Sequence, residues 1–140
     1  MIAQFIDKDI EHMKMTKSNT SHINDGTAFK LANNILQKWG CTTDEKQAIL
    51  GLTTASYHRF QKDNDCAFLS SDQLERISYL ANIHESLRVI FSNPENVDGF
   101  MRMSNNNAFF KGRSPLSLIL NGSTETLHEV FKQINAMINV

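Results

Sequence analysis

Cysteine and proline are scarce in this 140-residue chain, with two of each. Cys41 and Cys66 are far apart and form no CxxC pair, so neither a zinc site nor a dithiol redox pair has local support. One disulfide and two free thiols both fit the count; isolated thiols fit a reducing compartment better. No apolar run approaches the roughly 20 residues of a membrane helix. The N-terminal stretch MIAQFIDKDIEHMKM carries Asp7, Asp9 and Glu11, where a secretory signal has an unbroken apolar core. The expectation is a soluble cytoplasmic protein with no membrane contact.

Excess charge of either sign is also missing: 14 Lys and Arg stand against 15 Asp and Glu, a net charge of -1. This excludes a uniformly basic nucleic-acid binder and a polybasic membrane-surface protein, but not a basic face balanced by an acidic one. Catalytic signatures are absent. There is no GxGxxG, no phosphate loop and no GxSxG. His84-Glu85 begins an HExxH pattern, but Arg88 stands where the second histidine belongs. The five histidines, His12, His22, His58, His84 and His128, are scattered and read as solvated or capping. Cys41 and Cys66 read as small residues at helix edges rather than nucleophiles. The expectation is a protein that is not an enzyme, with no cofactor and no metal.

What is present is 41% hydrophobic and 21% charged residues, enough for one packed domain or two very small ones. The spacing of apolar residues is helical throughout, with no sustained alternation, so the expected fold class is all-α. Residues 1 to 15, with Ile2, Phe5, Ile6, Ile10 and Met13 at helical spacing, read either as a frayed tail or as an amphipathic arm. Residues 16 to 27 are polar, contain an Asp-Gly pair and read as a linker. A first helix is expected from about Thr27 to Trp39, its stripe being Ala28, Leu31, Ala32, Ile35, Leu36 and Trp39. Thr42 and Glu45 fit a capping box for a second helix ending at Gly51. Thr53 or Thr54 caps a third, to about Lys62. Ser70 and Gln73 fit another capping box, before Leu74, Ile77, Leu80, Ile83, Leu87, Ile90 and Phe91. Asn93-Pro94 and Ser114-Pro115 open two further helices. The first of these buries Val97, Phe100 and Met101. The last helix starts near Ser123 and buries Leu127, Val130, Phe131, Ile134, Met137 and Ile138.

Two segments carry functional signals. In residues 43 to 62, a short helix, a turn containing Gly51 and a second helix with hydroxyls at its start form a helix-turn-helix pattern. Small polar residues let such a helix approach bases, and its N-terminal dipole end favours phosphate. Thr53, Thr54, Ser56, Tyr57, His58 and Arg59 supply that chemistry, with Lys46 and Lys62 placed for phosphate contacts. From Ala28 to Lys62, five basic residues face two acidic ones. The alternative is an ordinary αα-hairpin whose hydroxyls only cap. From Asp63 onward, nine acidic residues face six basic ones, a balance suited to a protein partner or to solvent. There, Phe109 and Phe110 sit in a loop beside Lys111, Gly112 and Arg113, residue types enriched at interface hot spots. At least one of the two phenylalanines is expected to tuck into the core.

The segment LERISYLANIHESLRVIFSNPENVDGFMRMSNNNAFFKGRSPLSLILNGSTETLHEVFKQINAM resembles the toxin-binding domain of the Xre/MbcA/ParS type antitoxins. The matching pieces are the helix from Leu74 to Phe91, Asn93-Pro94-Glu95, and Asn107, Phe109, Gly112, Arg113, Ser114, Pro115 and Leu116, then Leu120 and Gly122. They span roughly residues 70 to 138. Residues 27 to 62 resemble the Xre-like helix-turn-helix these antitoxins carry. The family often has Trp where this chain has Phe100 or Met101, and the recognition helix here is not strongly basic.

The resemblance implies three parts: an arm and linker over 1–26, a helix-turn-helix domain over 27–66 and a toxin-binding domain over 67–140. It also implies a function. Proteins of this type neutralise a RES-domain toxin, an enzyme that consumes NAD, by obstructing its active site. They also repress their own operon by binding operator DNA, usually as a homodimer. The toxin contact is then expected at Phe109, Lys111, Gly112, Arg113, Ser114 and Pro115, with Lys111 and Arg113 facing acidic groups at the toxin's entrance. The rival reading is a stand-alone dimeric regulator whose C-terminal half serves dimerisation.

Overall fold

Short polar side chains set the helix starts. In the structure, a computed structural model that describes residues 22–139, Thr42 Oγ1 accepts the Glu45 N–H at 3.2 Å and Glu45 Oε1 accepts the Thr42 N–H at 2.9 Å. This capping box opens helix α2, Thr43–Leu50. Thr53 caps α3, Thr54–Lys62. A second box, Ser70 with Gln73, opens α4, Ser71–Ile90. Asn93 caps α5, Pro94–Gly99, and Ser114 caps α6, Pro115–Ile119, each helix carrying Pro in its first turn. Ser123 caps α7, Thr124–Ala136. With α1, His22–Lys38, this makes seven α-helices and no strand among the described residues, so the fold is all-α.

The first helix differs from expectation: it starts at least five residues before Thr27. The Asp-Gly pair that reads as a linker turn lies inside α1. The Asp25 carboxylate is buried and accepts the backbone N–H of Leu69 at 3.0 Å. Gly26 faces the short 3-10 turn Asn64–Cys66, where a Cβ at position 26 would stand 2.6 Å from the Asn64 carbonyl oxygen. Tertiary packing thus overrides the local turn signal. The expected arm over residues 1 to 15 lies outside the described residues.

The stripe on α1 is buried as expected, and Phe29 joins it. The Phe29 ring meets the Tyr57 and Phe60 rings edge-on, at 5.7 and 5.8 Å, which seats α3 on α1. Helix α4 is central and packs against both α1 and α7. Its residues Ile77, Leu80, Ile83 and Leu87 are buried, with Leu74, Ile90 and Phe91 at the margin. Val97, Phe100 and Met101 are buried, as are Leu127, Val130 and Ile134 of α7. Ile138 is exposed, contrary to expectation, because it lies beyond the end of α7 in a terminal 3-10 turn. One continuous core joins these residues, Ile138 excepted, and crosses the sequence position expected as a boundary, 66/67. His84, expected at the surface, is buried within it.

Candidate nucleic-acid interface and partner loop

The turn between α2 and α3 is built for a sharp reversal. Gly51 ends α2 in the left-handed region, at φ 71°, which costs glycine nothing. The N–H groups of Gly51 and Leu52 both bond the Gln47 carbonyl. The Gln47 side chain reaches across the turn and accepts the Thr54 hydroxyl at 2.8 Å. Helix α4 then clamps the turn from behind. Gln73 Nε2 donates to the Gly51 carbonyl at 2.8 Å, and Arg76 Nη1 donates to the Ile49 carbonyl at 3.3 Å. Arg76 is paired with Asp72, which also accepts the Thr124 hydroxyl at 2.6 Å. A polar chain therefore runs from the turn to the start of α7.

This frame fixes what α3 presents. Ala55, His58, Arg59 and Lys62 are exposed at helical spacing along one face, with Thr53 and Thr54 exposed at the N-terminal end and Ser56 half-buried. The Thr53 hydroxyl accepts the Ser56 N–H at 3.1 Å. Arg59 lies over the Phe60 ring, its guanidinium carbon 5.2 Å from the ring centroid. Two expected contact residues point the other way. Tyr57 is fully buried, and its hydroxyl donates to Asn33 Oδ1 at 2.7 Å, so it secures α3 to α1. Lys46 is only 4% exposed, and its ammonium donates to Gln37 Oε1 at 2.7 Å. Burial pushes its pKa down. Neither is free to meet a nucleic acid, because both sit on the inner face of their helices.

The second candidate surface is the loop before α6. Phe110 is completely buried and anchors it; Phe109 is half-buried against Phe110, ring centroids 5.1 Å apart. Backbone bonds close the loop: Gly112 N–H to the Asn105 carbonyl at 2.7 Å, and Lys111 N–H to the Asn107 carbonyl at 2.9 Å. Asn107 Oδ1 adds a bond from the Phe109 N–H. Lys111 has φ 54°, the one positive value at a non-glycine among the described residues. Its side chain is exposed. Arg113 is exposed too, but its guanidinium donates to the Phe110 and Phe109 carbonyls at 2.9 and 3.2 Å. It braces the loop as well as facing solvent. Gly112 is exposed, Ser114 caps α6 and Pro115 is buried beneath it. The loop thus displays Lys111, Gly112, Arg113 and the edge of Phe109.

Sequence reasoning missed Gln47, Gln73 and Arg76 as guardians of the turn, and Arg102 at the far end of α2. The capping box did single out Gln73, but its second bond spans 22 residues and leaves no local signal.

The tight turn and the outward polar face of α3 define a helix-turn-helix unit. Residues 19–82 match the family described as the antitoxin Xre-like helix-turn-helix domain. The match covers just under half of the chain and takes in the first part of α4, the helix that clamps the turn. The chain is also similar to the uncharacterized protein y4oB of Sinorhizobium fredii (strain NBRC 101917 / NGR234). The two are 28% identical over 103 residues, which is 73% of this chain and 77% of that protein. No helix among the described residues is long and apolar enough to cross a membrane.

Proposed function

We propose that the protein is a cytoplasmic antitoxin that binds operator DNA through α3 and neutralises a toxin through the loop before α6. The observation that carries this reading is the match of residues 19–82 to the antitoxin Xre-like helix-turn-helix domain. The outward polar face of α3 supports the DNA half. Arg59 and Lys62 make the phosphate contacts, while Thr54, Ala55 and His58 approach the bases. Small residues at positions 54 and 55 allow close approach, and a homodimer would set two such helices on neighbouring half-sites.

The toxin is a RES-domain enzyme that consumes NAD, and the antitoxin acts by obstruction. Covering an active site needs no chemistry from the covering chain. Phe109, Lys111 and Arg113 form the contact, with Lys111 and Arg113 facing acidic groups and Phe109 supplying apolar area. Gly112 lets the backbone approach closely, while Ser114 and Pro115 shape the loop from its base.

Co-expression with the product of the neighbouring gene, followed by pull-down and an NAD assay, tests this reading. A stable complex that leaves NAD intact, and Lys111→Glu restoring NAD loss, is the expected result. No complex, with DNA binding retained, would favour the stand-alone regulator.

A further inference from the structure

A cavity of about 220 Å³ lies where the C-terminal ends of α1 and α4 meet α5. Its polar wall is Lys38, His84, Arg88 and Asp98; its apolar wall is Phe91, Pro94 and Val97. It is separate from both the outward face of α3 and the loop before α6. His84 is 2% exposed, and its Nδ1 is sealed from solvent with no hydrogen-bond partner among the described residues. The Nε of Arg88 is sealed and unpartnered in the same way. Both atoms lie behind the cavity wall and not on its accessible surface, so a ligand would meet the remainder of these two side chains together with Lys38 and Asp98.

The charges point to its chemistry. Lys38, Arg88 and Asp98 all act electrostatically on His84, yet none of the three forms an ion pair with another. Two cations on one wall suit a carboxylate, which accepts hydrogen bonds from both. The His84 ring stays neutral, so it adds no third positive charge to the wall. Asp98 opposes a dianion but welcomes an ammonium or hydroxyl group beside the carboxylate. Phe91, Pro94 and Val97 suit a short apolar tail. At roughly 30 Å³ per water molecule, the volume fits a molecule of amino-acid size.

We propose that this cavity binds a small carboxylate, of the class of an apolar α-amino acid or its deaminated analogue. The test titrates leucine, 4-methylpentanoate and inorganic phosphate into the full chain, with calorimetry and NMR of the histidine ring and arginine Nε–H signals. The expected result is millimolar or tighter binding of at least one carboxylate, with His84 and Arg88 signals shifting. Arg88→Met and Lys38→Met should each weaken it by about tenfold or more. Lys38 is exposed, so its replacement leaves the core intact and keeps the test readable. Asp98→Asn should weaken leucine more than 4-methylpentanoate. The proposal is overturned if neither carboxylate shifts these signals at about 20 mM. Binding unaffected by both cation replacements, or phosphate bound as tightly as either carboxylate, also overturns it.

Discussion

Arg102 Nη2 lies 2.8 Å from Glu45 Oε1, across 57 residues of sequence. The same guanidinium donates to the carbonyls of Trp39 and Gly40, at 2.8 and 2.6 Å. Glu45 belongs to the capping box of α2, so an arginine from the C-terminal half completes the start of the helix-turn-helix. Arg76 and Gln73 hold its other end. Helix α2 is therefore fixed at both ends by residues outside the helix-turn-helix. The orientation of α3 depends on that fixation.

Arg102→Met should destabilise the protein by about 1–3 kcal/mol. The two carbonyl bonds account for most of this, since the ion pair is partly solvated and worth little by itself. Urea denaturation measures the change. A midpoint equal to that of the parent would mean the guanidinium is replaceable by water.

Gly26→Ala should cost about 1–3 kcal/mol, because the new methyl group meets backbone rather than a movable side chain. Alanine is the better helix former, so an unconstrained site would show the opposite sign. Thermal unfolding distinguishes the two.

These two sites also mark where legibility ended. Asp63, which caps the turn Asn64–Cys66, was not legible as a cap. The N-caps of the α-helices from Thr42 onward were legible in sequence, Thr53 as one of two candidates, because a cap and its N–H partner lie within three residues. The α1 stripe and the periodic apolar residues of α4 were legible for the same reason. The true start of α1 was not, because Asp25 and Gly26 are held by Leu69 and Asn64, about 40 residues away. On the candidate DNA face, periodicity could have separated Tyr57 and Phe60 from His58 and Arg59, but the hydroxyl of Tyr57 obscured it. Lys46 stands three and four residues before the buried Ile49 and Leu50, so helical spacing did mark its position, and only its charge argued for the surface. In the loop, one buried phenylalanine was foreseeable; which one depended on the backbone turn at Lys111.

Acid should weaken the fold through His84. Burial first, then Lys38, holds its pKa down at about 4, against 6.5 for the free side chain. Above pH 6.5 the ring is neutral in both states and stability is full. As pH falls from 6.5 to about 4, the unfolded chain takes up a proton that the folded one refuses, costing about 3 kcal/mol in total. Glu45, held low chiefly by the Thr42 N–H, and Asp72, held low chiefly by the Thr124 hydroxyl, add losses in the same direction at lower pH. Urea midpoints between pH 7 and about 4.5 should fall for the parent and flatten for His84→Gln. Equal slopes in both would remove His84 from the account.

Lys111 occupies a backbone conformation that glycine adopts freely. Lys111→Gly should stabilise the isolated protein by about 0.5–1 kcal/mol. If the loop meets the toxin as proposed, the same change should weaken the complex, because the exposed ammonium is lost. Stability and affinity moving in opposite directions is the signature. A parallel rise in both would place the toxin contact elsewhere.

The most direct test of the central claim is fluorescence anisotropy of DNA from upstream of the protein's own gene, measured over a salt series. Arg59→Ala should weaken binding and reduce the slope of log affinity against log salt by about 1, since one phosphate contact is lost. Lys46→Met, which alters a buried residue, should leave that slope unchanged. A parent protein with no affinity for this DNA, or a slope insensitive to Arg59, would contradict the assignment of α3 as the DNA-reading helix.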